Sequence, residues 1–212
     1  PYRQSQTFET NLPNNLLEVF PRLLWKLKGL WVVVVASQVA FVMYYTYIAL
    51  HLSSVGFSNM TIGLLIGVAT MAEIAAFWKI KWFFARFSPW ILISLASLIT
   101  VVRWVAIGLA VDNVIFLIGL TLVQLLHALS FTVFHTACLK IIHDEVSPRE
   151  MGLAQGLYNA LGYGVGGVLG VLWAAHIWMS SQAGVFFTAA WISLGMSIFA
   201  FLVYLRAKRF RT

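Results

Sequence analysis

The stretch Gly29-Leu-Trp-Val-Val-Val-Val-Ala-Ser-Gln-Val-Ala-Phe-Val-Met-Tyr-Tyr-Thr-Tyr-Ile-Ala-Leu-His51 carries no formal charge, and none follows until Glu73. A hydrocarbon core of about 30 Å takes about 20 helical residues per crossing, so this run is long enough for two. It breaks at His51-Leu-Ser-Ser-Val-Gly-Phe-Ser-Asn59, where Asn59 and Thr61 suit the cap of a following helix. Residues 151–205 repeat the pattern, with their break at His176-Ile-Trp-Met-Ser-Ser-Gln-Ala-Gly184. Two further apolar runs, 89–111 and 114–139, lie between. The reading is an all-α integral membrane protein with six transmembrane helices near 30–51, 60–78, 89–110, 114–140, 151–176 and 183–205.

Composition agrees. The 212 residues are 61% apolar and 10% charged, whereas soluble domains are about 25% charged. A soluble enzyme or DNA-binding domain is excluded, because too few charges exist to clothe a water-facing surface. A β-barrel is disfavoured as well: Trp31-Val-Val-Val-Val-Ala36 and Ile91-Leu-Ile-Ser-Leu-Ala96 are apolar at both parities, and barrel strands alternate. One cysteine excludes a disulfide framework and any Cys-rich metal site. No GxxxxGK[ST] phosphate loop occurs. No cofactor and no enzymatic activity are expected.

The basic residues test the span count. Arg3, Arg22, Lys26 and Lys28 precede the first span, and Lys79, Lys81 and Arg86 follow the second. Lys140 and Arg149 flank the fourth connection, and Arg206, Lys208, Arg209 and Arg211 follow the sixth. The alternate connections hold none. Cytoplasmic loops are enriched in Lys and Arg, so six spans with both ends cytoplasmic place every basic loop on one side. The net charge of +7 is therefore a topology signal, and no nucleic-acid partner is implied. The lipid bilayer, as a cell inner membrane, is the expected setting.

Three segments result. Residues 1–28 form a cytoplasmic linker, polar over 2–15 and amphipathic over 16–28, where Pro21 is expected to start or kink a helix. Residues 29–206 form the six-helix domain, and 207–212 a basic cytoplasmic tail. No signal peptide is read, and the opening on Pro1 after no Met suggests the tail of a longer chain.

Ionisable groups inside a bilayer are costly and mark a pathway or a partner. Four lie deep: Glu73, Arg103, His127 and His135. At about 1.5 Å per residue, Glu73 and His127 fall at similar depth, Arg103 above them and His135 nearer the inner side. An Arg keeps its charge, while a buried carboxylate without a partner takes up a proton. A carboxylate whose partner can move away thus carries protons. Plainer readings stand beside this: Arg103 as a snorkelling anchor, Glu73 as its static partner, His127 and His135 as links to neighbouring helices. His51, His143 and His176 lie at membrane edges and are assigned no chemistry. No metal site is read, since His127 and His135 stand two turns apart without other ligands.

The fourth span carries a polar stripe of Gln124, His127, Ser130, His135 and Cys138, and the first carries Ser37, Gln38, Tyr44, Tyr45 and Tyr47. Gln38, Tyr44, Tyr45, Gln124, Ser130 and His135 are the candidate cavity lining, suited to a planar organic solute. Tyr47 also fits an outer interfacial belt. The fifth span offers small-xxx-small pairs at Gly152/Gly156, Gly162/Gly166 and Gly166/Gly170 for close helix packing.

Gly63-Leu-Leu-Ile-Gly-Val-Ala-Thr-Met-Ala-Glu73, 98–104 with Arg103 and Trp104, Gln124-Leu-Leu-His-Ala-Leu-Ser-Phe131 with His135, and Gln155-Gly-Leu-Tyr-Asn-Ala160 together resemble the major facilitator superfamily, in its phenylpropionate-transporter and lactose-permease-like branch. The resemblance covers the C-terminal six-helix half of a twelve-helix carrier. It implies a secondary active transporter working by alternating access, as a proton-coupled symporter of a small organic solute such as an aromatic carboxylic acid. Sugar or nucleoside symport, or a non-transporting sensor or assembly subunit, remain open. By the resemblance, Glu73, Arg103 and His127 serve substrate binding and proton coupling. Two departures stand out. Ser130 occupies the place of a proton-bearing Glu, and Lys79-Ile-Lys-Trp-Phe-Phe-Ala-Arg86 lacks the superfamily's usual Gly/Asp/Arg-rich loop. Six helices present one wall of a midplane site, so the expected partners are protons, the solute, and the missing N-terminal half or a second copy.

The topology has a direct check. A reporter fused after Thr212 is expected in the cytoplasm and one inserted at Ser54 on the outer side; a C-terminal reporter found outside overturns the six-span reading.

Overall fold

Several turns between the apolar runs are fixed by a short polar side chain. Ser58 accepts the amide of Thr61 (3.2 Å) and bonds its hydroxyl (2.9 Å). Ser88 accepts the amide of Ile91, with Pro89 opening the helix behind it. Asn113 accepts the amide of Phe116 at 2.8 Å. These caps hold orphan amide groups at helix starts. The first falls one residue before the expected Asn59, on Ser58, whose extended backbone (ψ 151°) suits a cap.

The computed structural model describes residues 16–209. The polar linker expected over 2–15, with Arg3, and the end of the tail at 210–212, with Arg211, lie outside the described residues. The helices are α1 (Leu16–Lys26), α2 (Lys28–Ser54), α3 (Asn59–Phe84), α4 (Pro89–Gly108), α5 (Val114–Glu145), α6 (Pro148–Trp178) and α7 (Gln182–Arg209). The six from α2 to α7 are long and apolar enough to cross a membrane. α3 runs six residues past its expected end at 78, and α7 passes 205 to reach Arg209. Their last turns carry Lys81 and Arg206, Lys208 and Arg209, residue types whose long stems can lie along apolar surface while the charges reach out.

Wide turns with i→i+5 bonding interrupt two helices, at Ala128–Thr132 in α5 and Ala160–Gly166 in α6. Neither was legible in the sequence.

Burial is uneven. α2, α4 and α7 bury 50, 50 and 44% of their membrane-spanning windows, α3 only 17%. α4 and α7 are tied by reciprocal bonds: Ser94 Oγ donates to Ser197 O and Ser197 Oγ to Ser94 O, each at 2.9 Å. Trp104 Nε1 donates to Ser193 Oγ at 3.2 Å. α6 lies against α2, α3 against α5, and α5 also touches α4.

One end gathers the basic loops. Val19, Leu23 and Leu27 of the α1 region are buried with Ile142, Val146 and Leu157. Arg22 pairs with Glu150, and Lys26 reaches the carbonyl and carboxylate of Glu145. α1 runs through Pro21 instead of starting there, because the residues packed on either side of it hold the helix down. At the other end Gly56 turns the chain at φ +111°, and the Asp112 side chain closes over it. His51 Nε2 bonds Ile107 O at 3.0 Å, tying α2 to α4.

The glycines of α6 divide. A Cβ on Gly166 would stand 2.7 Å from Val35 O and 2.9 Å from Gln38 Cβ, and one on Gly170 would stand 2.8 Å from Val39 O. A Cβ on Gly162 would stand 3.1 Å from Val34 Cγ1 and 3.2 Å from Gln38 Cγ. Here α2 and α6 approach backbone to backbone. A Cβ on Gly152 or Gly156 would meet nothing within 4 Å among the described residues, so that expected pair makes no close approach there; α6 contacts α2 from its wide turn onward. Gly166→Ala and Gly170→Ala should each cost about 1–3 kcal/mol by overpacking, read as a lowered unfolding midpoint in detergent, whereas Gly156→Ala should not. Equal midpoints would show that the approach is not tight.

Candidate functional site

Arg103 projects from α4 into the centre of the bundle and is fully buried. Its Nη1 donates to Ser130 Oγ at 3.1 Å and its Nη2 to Gln124 Oε1 at 3.4 Å. The guanidinium carbon lies 4.8 Å from the centre of the Trp104 ring and 5.2 Å from that of Tyr44, within reach of cation–π attraction. Gln124 Nε2 in turn donates to Tyr44 Oη at 3.0 Å, and Ser130 Oγ donates to His127 O at 3.2 Å. The Nε of Arg103 has no partner.

Among the described residues no carboxylate lies within ion-pairing distance of Arg103. The expected Glu73–Arg103 pair is not formed. The reason is helix order: α5 packs against both α3 and α4, so Glu73 on α3 meets α5 first. Its Oε2 lies 3.6 Å from His127 Nε2. Tyr45 Oη of α2 approaches the same nitrogen at 3.3 Å. Tyr45 Oη is thus the hydrogen-bond partner of Nε2, with the Glu73 carboxylate just beyond, whereas Nδ1 is buried with no partner among the described residues. The expected depths also shift. Gln124 and Ser130 flank His127 by three residues each, so the Arg103 head is level with His127 and not above it. Depth counted along the backbone missed the reach of a long side chain.

The cluster grades from shielded to open. Arg103, Gln124, Ser130 and Tyr44 are buried, His127 is 3% exposed, the Glu73 side chain is 24% exposed and Tyr45 is 54% exposed. Gln38 sits apart, under Gly162 and Gly166, as a packing residue of the α2–α6 seam. His135 lies further along α5 and bonds Tyr158 Oη of α6 at 2.9 Å. Tyr47 rests on Trp178 at the end opposite the basic loops. Cys138 is buried. A groove of about 430 Å³ bounded by Trp90, Asp144, Glu145, Tyr204 and Lys208 opens at the basic end, remote from the cluster.

Three participants lay inside the quoted motifs but were given no role there: Trp104, Phe131 and Tyr158. Phe131 was accessible, standing four residues from both His127 and His135. Tyr158 is joined to His135 only by the fold.

Comparison with known proteins agrees with this architecture. The MFS_1 like family matches residues 7–189, and the chain belongs to that family. The probable 3-phenylpropionic acid transporter of Escherichia coli (strain K12) is 27% identical over 157 residues, covering 74% of this chain and 40% of that protein. The chain thus spans about two fifths of the length of the curated relative it matches.

The acceptor role of Ser130 is testable. Ser130→Ala leaves Arg103 Nη1 buried without an acceptor, which should cost about 1–3 kcal/mol, while Ser130→Thr keeps the hydroxyl. Thermal unfolding in detergent should separate the two; equal midpoints would remove Ser130 from the account.

Proposed function

We propose that this member of the MFS_1 like family is one six-helix half of a secondary active carrier, its C-terminal half, which moves a small organic carboxylate of the aromatic-acid class together with protons. The observation that carries the reading is a buried guanidinium without a carboxylate, set beside a carboxylate–imidazole–phenol cluster. The basic end is taken as cytoplasmic, in a cell inner membrane, with both ends of the chain on that side.

The chemistry follows from the partners. Arg103 is held by two neutral acceptors, and a charge-assisted carboxylate bond is about twice as strong as a neutral one. A solute carboxylate can displace Ser130 or Gln124 and take the planar fork, with the rings of Tyr44 and Tyr45 beside it. Glu73 and His127 then serve the proton. Beside a protonated His127 the carboxylate is favoured as the anion; drawn away into hydrocarbon, it binds a proton. Neutral donors alone would serve a sugar, but a fully buried uncompensated cation favours an anion. The relative's named solute, 3-phenylpropionic acid, belongs to that class.

The test uses the full-length carrier in proteoliposomes, with 3-phenylpropionate and proton uptake read on the same vesicles. Glu73→Gln should abolish accumulation against a gradient yet leave exchange, because Gln keeps the shape but releases no proton. Arg103→Lys should raise the apparent KM about tenfold through loss of the fork, and Arg103→Ala should cost more. Normal accumulation and proton stoichiometry in Glu73→Gln would leave Glu73 a structural partner only. Absence of uptake by the unmodified carrier would favour a sensor or assembly role.

A further inference from the structure

His135 stands eight residues beyond His127, about 12 Å along α5, toward the end that carries Lys140 and Lys26. In an uninterrupted α-helix each four-residue step drifts by about 40°, so the two imidazoles would point about 80° apart. The wide turn at Ala128–Thr132 takes up that drift, since each of its residues turns the helix by less. The result is a continuous stack. The His127 and Phe131 rings lie 5.5 Å apart at 17°, and those of Phe131 and His135 lie 5.9 Å apart at 6°. A wide turn costs regular bonding and tends to occur at functional positions. Here it keeps three rings on one line.

Tyr158 fixes the chemistry of the far ring. It is 4% exposed and its Oη meets His135 Nδ1 at 2.9 Å. With the Tyr158 hydroxyl donating to Nδ1, the ring proton of neutral His135 is on Nε2. That nitrogen carries no partner, yet it is not among the buried unpartnered atoms, so it stays accessible.

We propose that His135, paired with Tyr158, is a second station for the solute on the cytoplasmic half of its path, where its half-exposed imidazole offers Nε2–H to the carboxylate. This rests on the carboxylate reading above. A path with one deep site holds an anion too firmly to release it; successive weaker sites let it enter and leave. Arg103 is the strong charged site and His135 the weaker neutral one, about 12 Å of helix beyond His127.

The test measures 3-phenylpropionate transport by the full-length carrier, with solute presented separately to the cytoplasmic face (inside-out vesicles) and the outer face (right-side-out vesicles). His135→Phe keeps the stack and removes the donor. It should raise the apparent KM about five- to tenfold at the cytoplasmic face, the scale of one hydrogen bond, and leave the outer-face value within about twofold. His135→Gln, which restores an N–H, should recover most of the loss. Tyr158→Phe frees the tautomer and should shift the same face in the same direction by less. If His135→Phe does not reach the membrane, Tyr158→Phe and His135→Gln decide alone: a sided shift in the first with near-normal affinity in the second supports the station, and no sided shift in the first overturns it. Equal changes at both faces, no change at either, or failure of Gln to rescue overturns the station alone. No uptake by the unmodified carrier overturns the carboxylate reading and the station with it.

Discussion

A guanidinium cannot shed its charge and cannot sit unpartnered in an apolar bundle, and Arg103 meets both demands without a carboxylate. Three helices are committed to it. α2 supplies the Tyr44 ring, α4 supplies Trp104 beside it, and α5 supplies Gln124 and Ser130. Trp104 is itself bonded to Ser193 of α7, so the cation's aromatic wall is anchored in the most buried seam of the fold. The cost of burying the charge is spread over neutral hydrogen bonds and ring faces, each weak alone. The seat holds the charge with neutral groups. A Glu at position 130 could pair with the guanidinium, whereas Ser130 only accepts a hydrogen bond from it.

The bundle has a firm side and a loose side. α2, α4 and α7 are joined by the Ser94–Ser197 bonds and by extensive apolar contact. α3 is mostly uncovered, with Met60, Leu64, Met71 and Trp78 among its exposed residues. α6 touches α2 through glycines that permit approach but contribute few side-chain contacts. Lipid can cover an apolar face at no cost. It cannot favourably cover Glu73 or Tyr45, which are both partly open, and that exposure fits the proposal that a second six-helix unit faces them.

Much of the fold was legible because the bilayer allows few solutions. Apolar runs of fixed length must be helices, and the basic loops must share a side, so six spans followed from counting. Boundaries slipped where physics is permissive: α3 and α7 extend past their apolar runs because Lys and Arg stems can lie along the helix before their charges leave. At the site, residue identity was legible and partnership was not. Glu73, Arg103 and His127 stand out because charge in hydrocarbon is expensive. Whether Glu73 meets Arg103 or His127 depends on which helix lies between, and no spacing in the chain encodes that. The glycines show the same division, since Gly162, Gly166 and Gly170 find a neighbour in α2 while Gly156 of similar spacing finds none.

The wide turns were the least legible feature, because Ala-Leu-Ser-Phe-Thr and Ala-Leu-Gly-Tyr-Gly-Val-Gly read as ordinary helix. Their placement is informative. Both occur in helices outside the firm group, one between His127 and His135 and the other where Gly162 and Gly166 rest on Gln38. The aromatic seat of Arg103 therefore belongs to α2 and α4, whereas the carboxylate and the imidazoles belong to α3 and α5. A shift of α3 against α5 changes the 3.6 Å separation of Glu73 and His127 without moving Tyr44 or Trp104 from the guanidinium. Under the proposed function that division has a consequence. The fixed charge selects the solute in every conformation, while the proton is held or released according to how two lightly packed helices sit. Coupling then needs no direct bond between the anion site and the proton site, only that occupancy of one favours a particular packing of the other.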